Sequence, residues 1–191
     1  TSAHHAYRTP LGDIPLAKEK ILTISDRFQD QTGLSLTPVA NDQEHSLEIE
    51  LPFLQRALAA GFDLIPIMLR DQTREIAKAL SEILGEILNG EDCLMVASSD
   101  LSHFFSENKA NQLDQRVLGA LTDFSPDALF DLKRSGEGQA CGLAPIAAVL
   151  WAARKMGADQ ATLLNYDTSA SATGDRSSVV GYAAAAVTRP N

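Results

Sequence analysis

Cysteine is scarce in this chain. Cys93 and Cys141 are its only two among 191 residues, too few for a disulfide framework, and a reducing cytoplasmic setting is the expectation. Basic charge is also short: 16 Lys and Arg stand against 25 Asp and Glu, a net charge of −9. Such a surface repels phosphate backbones and anionic headgroups, and the Lys and Arg are scattered, so neither nucleic acid nor a membrane is expected as a partner. No apolar run approaches the roughly 20 residues of a spanning helix, and no leader-like segment is visible at Thr1, where the chain starts without Met. The chain has no Walker-type glycine loop, GxGxxG, GxSxG, CxxC or HExxH pattern. No nucleotide cofactor is therefore expected.

What is present suffices for a core. Hydrophobic residues make up 45% of the chain, and its length suits one domain over residues 1–191. Residues 1–15 are punctuated by Pro10, Gly12 and Pro15 and read as loop. Ile21, Ile24 and Phe28 recur at helical spacing within 16–30. A short strand is expected over 34–39, and a helix from His45 to about Ala60, with Pro52 either kinking it or opening a second helix. Phe62 to Leu69 and Cys93 to Ala97 read as strands buried on both faces, with Cys93 a buried small hydrophobe and Pro66 a caution in the first run. Between them Ile76, Leu80, Leu84 and Ile87 mark a helix capped by Asp71, so a parallel βαβ unit is predicted. Helices follow over 111–121, 126–132 and 145–156, with strands over 161–166 and 178–187 and a polar loop over 167–177. The expected class is α/β: a central, mostly parallel or mixed sheet flanked by helices.

Several segments bear on chemistry. His45 and Glu48 are three apart in what reads as a helical turn, so they share a face; they either line a site or form a solvated pair. Ser98 to Phe104 follows a strand candidate, and ligands of open α/β sheets bind beyond the carboxyl ends of strands. There Asp100 could orient His103 as an acid or base, or the segment could be an ordinary helix cap. Cys141 enters a helix, where the dipole favours a thiolate ligand or nucleophile; a packed small residue at a tight turn is the other reading. The hydroxyls and carboxylates of 167–175 read as turn chemistry. His4 and His5 are adjacent in a loop, so at most one is a ligand.

Taken in order, these segments resemble the Memo-like family. Thr1 to His5 is similar to its G-x-S-H-H element and Tyr7 to Asp13 to its YRTPLGD element. Glu44 to Glu48 with Leu51-Pro52-Phe53 resembles its EHSLE…LPF stretch, and Ser98 to His103 its SSDLSH element. Cys141-Gly142 with Pro145, Asn165-Tyr166, and Ser178 to Ala183 complete the pattern. The resemblance implies a fold like that of class III extradiol dioxygenases and a metal-capable pocket. It implies His4 and Cys141 as metal ligands, His45, Glu48, Asp100 and His103 around the same pocket, and His103 as acid or base. It implies Fe(II) or Cu as cofactor, with oxidoreductase or dioxygenase-related chemistry on a small molecule or peptide. The alternative is a non-catalytic metal- or peptide-binding partner in the AmmeMemoRadiSam system, beside a radical-SAM protein. The family's upstream Pro-His-Ala-Gly element, a further ligand source, does not occur here, so a missing N-terminal segment is expected.

Overall fold

Proline and glycine at the start of the chain build a turn inside a hairpin, where the sequence reads as plain loop. In a computed structural model, which describes residues 1–41, 43–58 and 61–189, β1 (Ala6–Thr9) pairs antiparallel with β2 (Gly12–Pro15). Pro10 and Leu11 form the two-residue connection between the paired Thr9 and Gly12. The Thr9 hydroxyl accepts from the Leu11 N–H at 3.0 Å and closes it. Tyr7 lies opposite Ile14, which is buried.

These strands belong to the first of two compact units, Thr1–Arg70 and Asp71–Asn191. In the first unit α1 (Lys18–Thr32) buries Ile21, Ile24 and Phe28, the stripe expected from their spacing, and stops at Gly33 in the left-handed region, φ 76°. The strand expected over 34–39 is reduced to an isolated bridge between Ser2 and Val39. Residues 46–50 form turns, and α2 (Leu51–Ala57) begins with Pro52 in its first turn. Proline opens a helix there because its missing N–H would lack a partner anyway. The expected end of this helix at Ala60 lies outside the described residues.

The parallel βαβ unit requires correction. All ladders among the described residues are antiparallel, and the Phe62–Leu69 run contributes only an isolated parallel bridge between Leu64 and Leu16. Pro66 cannot donate to a ladder, which limits pairing of that run. Cys93 to Ala97 joins no described ladder, Leu94 and Val96 are exposed, and Cys93 is exposed rather than buried. An apolar run states a preference for burial; it does not specify a partner strand.

The second unit carries the larger core. α3 (Arg74–Ile87) is capped by Thr73, whose hydroxyl accepts from the Ile76 N–H, two residues beyond the expected cap at Asp71. It packs on α6 (Leu143–Lys155), and α5 (Pro126–Ser135) packs on α6 and α4 (Glu107–Thr122). The sheet has order β3 (His103–Phe105), β5 (Val179–Thr188), β4 (Gln160–Thr168), with both pairings antiparallel. The short α7 (Ala170–Thr173) occupies part of the predicted polar loop. Leu101, Val117, Leu129, Leu143 and Leu150 meet in one cluster. Each such side chain contributes about 1.5–3 kcal/mol by leaving water. Leu101 thus anchors the segment between Asp100 and His103 from below. No described helix is long and apolar enough to cross a membrane.

Candidate metal centre

Cys141 lies just before Gly142, the residue that caps α6. Its N–H donates to the Asp100 carbonyl at 3.1 Å, and the Asp100 N–H donates to the Cys141 sulfur at 3.1 Å. Gly142 is obligatory at this crossing: a Cβ there would fall 2.6 Å from the Ser98 carbonyl oxygen and 2.8 Å from the Ser99 Cβ. Its N–H donates to the Ser99 hydroxyl at 2.8 Å, which in turn donates to the Asp100 carbonyl at 2.7 Å. Gln72 braces the far side, with its amide NH₂ donating to the Cys141 carbonyl at 2.7 Å. Glycine is used for close approach here, and the backbone of two distant segments becomes one rigid piece.

His103 opens β3 opposite Val180, and a bulge follows it. The bulge puts Phe104 in the left-handed region, φ 65°, with its ring exposed and 5.6 Å from the imidazole, edge-on. A bulky residue at positive φ is strained, and such strain is held only where surrounding structure fixes it. The strand places the imidazole beside Asp100, with Nε2 3.3 Å from Oδ2. That contact lacks the alignment of a hydrogen bond, and Nε2 is buried with no hydrogen-bond partner. Asp100 Oδ, His103 nitrogen and Cys141 sulfur all lie within 4.8 Å of one another, a group able to hold one metal ion. A cleft of about 290 Å³ opens over His103 and Cys141, with Leu101, Lys133, Gly138 and Gln139 among its walls.

The remaining expected residues lie in the first unit. His4 is exposed, and its N–H donates to the Ser2 hydroxyl at 3.2 Å. The His5 ring meets the Lys18 ammonium. His45 and Glu48 do face each other, Nδ1 to Oε2 at 3.1 Å, on an exposed turn rather than a regular helix. Glu44 accepts from the N–H groups of Ser46 and His45, which hold its carboxyl below the usual range. Sequence reading missed Gln72, Phe104 and Asp114. Gln72 and Asp114 have no local signature, because their partners lie elsewhere in the chain.

The convergence of Asp100, His103 and Cys141 joins two of the motifs that carried the resemblance in this unit. The family model described as Memo-like protein matches residues 1–186. A MEMO1 family protein of Methanosarcina mazei is 32% identical over 184 residues, covering 95% of this chain and 67% of that protein. One from Methanococcoides burtonii is 34% identical over 188 residues, covering 93% and 66%. One from Aquifex aeolicus is 33% identical over 180 residues, covering 93% and 65%. The chain spans about two thirds of the length of these relatives. With the family model matched across nearly its whole length, and the thiol and the Asp–His pair brought to one point, the chain belongs to the Memo-like family.

Proposed function

We propose that Asp100, His103 and Cys141 form a metal centre for Fe(II) or Cu that serves oxidoreductase, dioxygenase-related chemistry. The observation that carries this reading is the buried His103 Nε2, which lacks a hydrogen-bond partner while a carboxylate and a sulfur stand beside it. A buried imidazole nitrogen left unsatisfied costs free energy that a ligand bond would recover. Carboxylate, imidazole and thiol together are donors that suit iron and copper. A bound metal supplies Lewis-acid and redox chemistry to the substrate.

The chain's own residues do the rest. Backbone contacts from Asp100 fix the sulfur and leave it facing the cleft. Asp100 Oδ2 stands 3.3 Å from Nε2, close enough for carboxylate and imidazole to act on one ion. Leu101 and the 136–141 segment wall the cleft, which admits a small molecule or a peptide side chain. Service to a radical-SAM partner fits the same centre.

The test is anaerobic purification followed by elemental analysis of the protein and of Cys141→Ala. Close to one equivalent of Fe or Cu, lost in the variant, is the expected result. Equal metal in both proteins, or none in either, overturns the reading. Oxygen uptake with a catechol panel then separates catalysis from binding alone.

A further inference from the structure

Asp114 sits on α4, wholly buried, at the back of the candidate centre. Its Oδ1 accepts from the Ser102 N–H at 2.9 Å, and its Oδ2 accepts from the Tyr166 hydroxyl at 2.9 Å. The same hydroxyl lies 2.7 Å from the Asn111 amide oxygen position. One phenolic proton serves one acceptor, and the carboxylate is the stronger. The Asn111 orientation that satisfies all three groups turns its NH₂ toward the phenol. Gly181 makes room for the carboxylate, since a Cβ there would lie 1.9 Å from Oδ2. Its backbone also holds the same turn: the Leu101 N–H donates to the Gly181 carbonyl and the Gly181 N–H to the Ser102 carbonyl, both at 2.9 Å.

Leu101 and Ser102 are the two residues between Asp100 and His103. Every backbone contact just named therefore acts on the spacer that sets those two side chains relative to each other. An ionised carboxylate costs several kcal/mol to bury, and well-packed apolar residues often stabilise a core as much or more. Fully satisfied buried polar networks instead fix one geometry.

We infer that Asp114 is a positioning residue: through the Ser102 N–H it sets the Asp100–His103 turn so that both side chains face Cys141. Tyr166 holds the carboxylate in register, and Gly181 admits it. The inference rests on the reading of the three residues as a metal centre, and one of its two tests below needs no metal.

The experiment compares Asp114→Ala, Asp114→Asn and Tyr166→Phe with Leu129→Ala, a core variant in the same unit. All are made with Cys93→Ser so that Cys141 is the single thiol. Unfolding midpoints are measured first, so that loss of stability is known for each. Co(II) is then titrated and followed through its thiolate charge-transfer absorption, and the apo-proteins are alkylated with iodoacetamide. Asp114→Ala is expected to weaken Co(II) binding by about 10- to 100-fold, the range for residues that support metal ligands. Asp114→Asn keeps an acceptor for Ser102 and is expected to recover most of that loss. Leu129→Ala is expected to bind Co(II) like the parent however far its midpoint falls. Should Asp114→Ala not fold, Tyr166→Phe decides, with a roughly threefold weakening expected from one lost hydrogen bond.

Parent-like Co(II) affinity in the deciding variant, or a loss that Leu129→Ala reproduces, overturns the inference. If the parent itself takes no Co(II), the metal reading fails and alkylation judges positioning alone. A Cys141 rate changed severalfold in the deciding variant but not in Leu129→Ala supports it, and equal rates overturn it.

Discussion

Asp100 and Cys141 hold each other twice: the N–H of each donates to the other, once to a carbonyl oxygen and once to a sulfur, both at 3.1 Å. This reciprocal pair ties the SSDLSH segment to the entrance of α6 and brings the sulfur to the Asp100–His103 pair.

Gly142→Ala tests the crossing directly. The added methyl would press on the Ser98 carbonyl and the Ser99 side-chain root, and the Ser98 carbonyl is backbone that cannot swing aside. A loss of about 1–3 kcal/mol in unfolding free energy is expected, the cost of overpacking a tight site. Urea denaturation measures it, and an unchanged midpoint would show that the two segments are not in contact.

His103→Ala and Asp100→Asn separate ligand roles from support. Each removes one member of the group around the sulfur. Isothermal titration with Fe(II) under anaerobic conditions is expected to show at least about tenfold weaker binding for both, and the larger effect for His103→Ala. His103→Ala binding as tightly as the parent would remove the imidazole from the centre.

Tyr166 gives a signature in pH. Burial first, and the hydrogen bond to Asp114 second, push its phenol above the ordinary 10.0. The folded chain therefore keeps this proton where the unfolded chain releases it. The resulting stability is fully present below about pH 10 and is lost as pH climbs past that value toward the folded one. Unfolding free energy is expected to fall as pH rises above about 10, with a shallower fall in Tyr166→Phe. Equal slopes in both proteins would place the phenol in water.

His45→Ala offers a contrast. The imidazole and its partner Glu48 are 76% and 55% exposed, so their contact is screened by water. Unfolding free energy is expected to change by less than about 0.5 kcal/mol. A drop beyond that would reveal a structural role for the turn.

Gln72→Ala removes a brace that is invisible in the local sequence. The Cys141 carbonyl loses its donor, and the Ala144 N–H loses an acceptor at 3.4 Å. A loss of about 0.5–1.5 kcal/mol is expected in urea denaturation. Parent-like stability would mean that solvent replaces both contacts.

The sequence by itself determined most of the helices and the family. The stripe of Ile21, Ile24 and Phe28 marked α1, and that of Ile76, Leu80, Leu84 and Ile87 marked α3, because helical burial is written in spacing over a few residues. SSDLSH and Cys141-Gly142 held the three residues that the fold brings within 4.8 Å of one another, and motif order indicated the family. Pairing was not legible. Phe62 to Leu69 and Cys93 to Ala97 are apolar enough for central strands, yet a strand's partner lies elsewhere in the chain and leaves no mark on its own composition. The first-turn hairpin was hidden for the same reason: Pro10 and Gly12 announce a turn, while the ladder depends on Tyr7 meeting Ile14. Only the tertiary structure decided that Cys141 meets Asp100 and His103. It also decided that Asp114 holds the spacer between those two, because that contact exists only where Gly181 of a distant strand leaves room for a carboxylate.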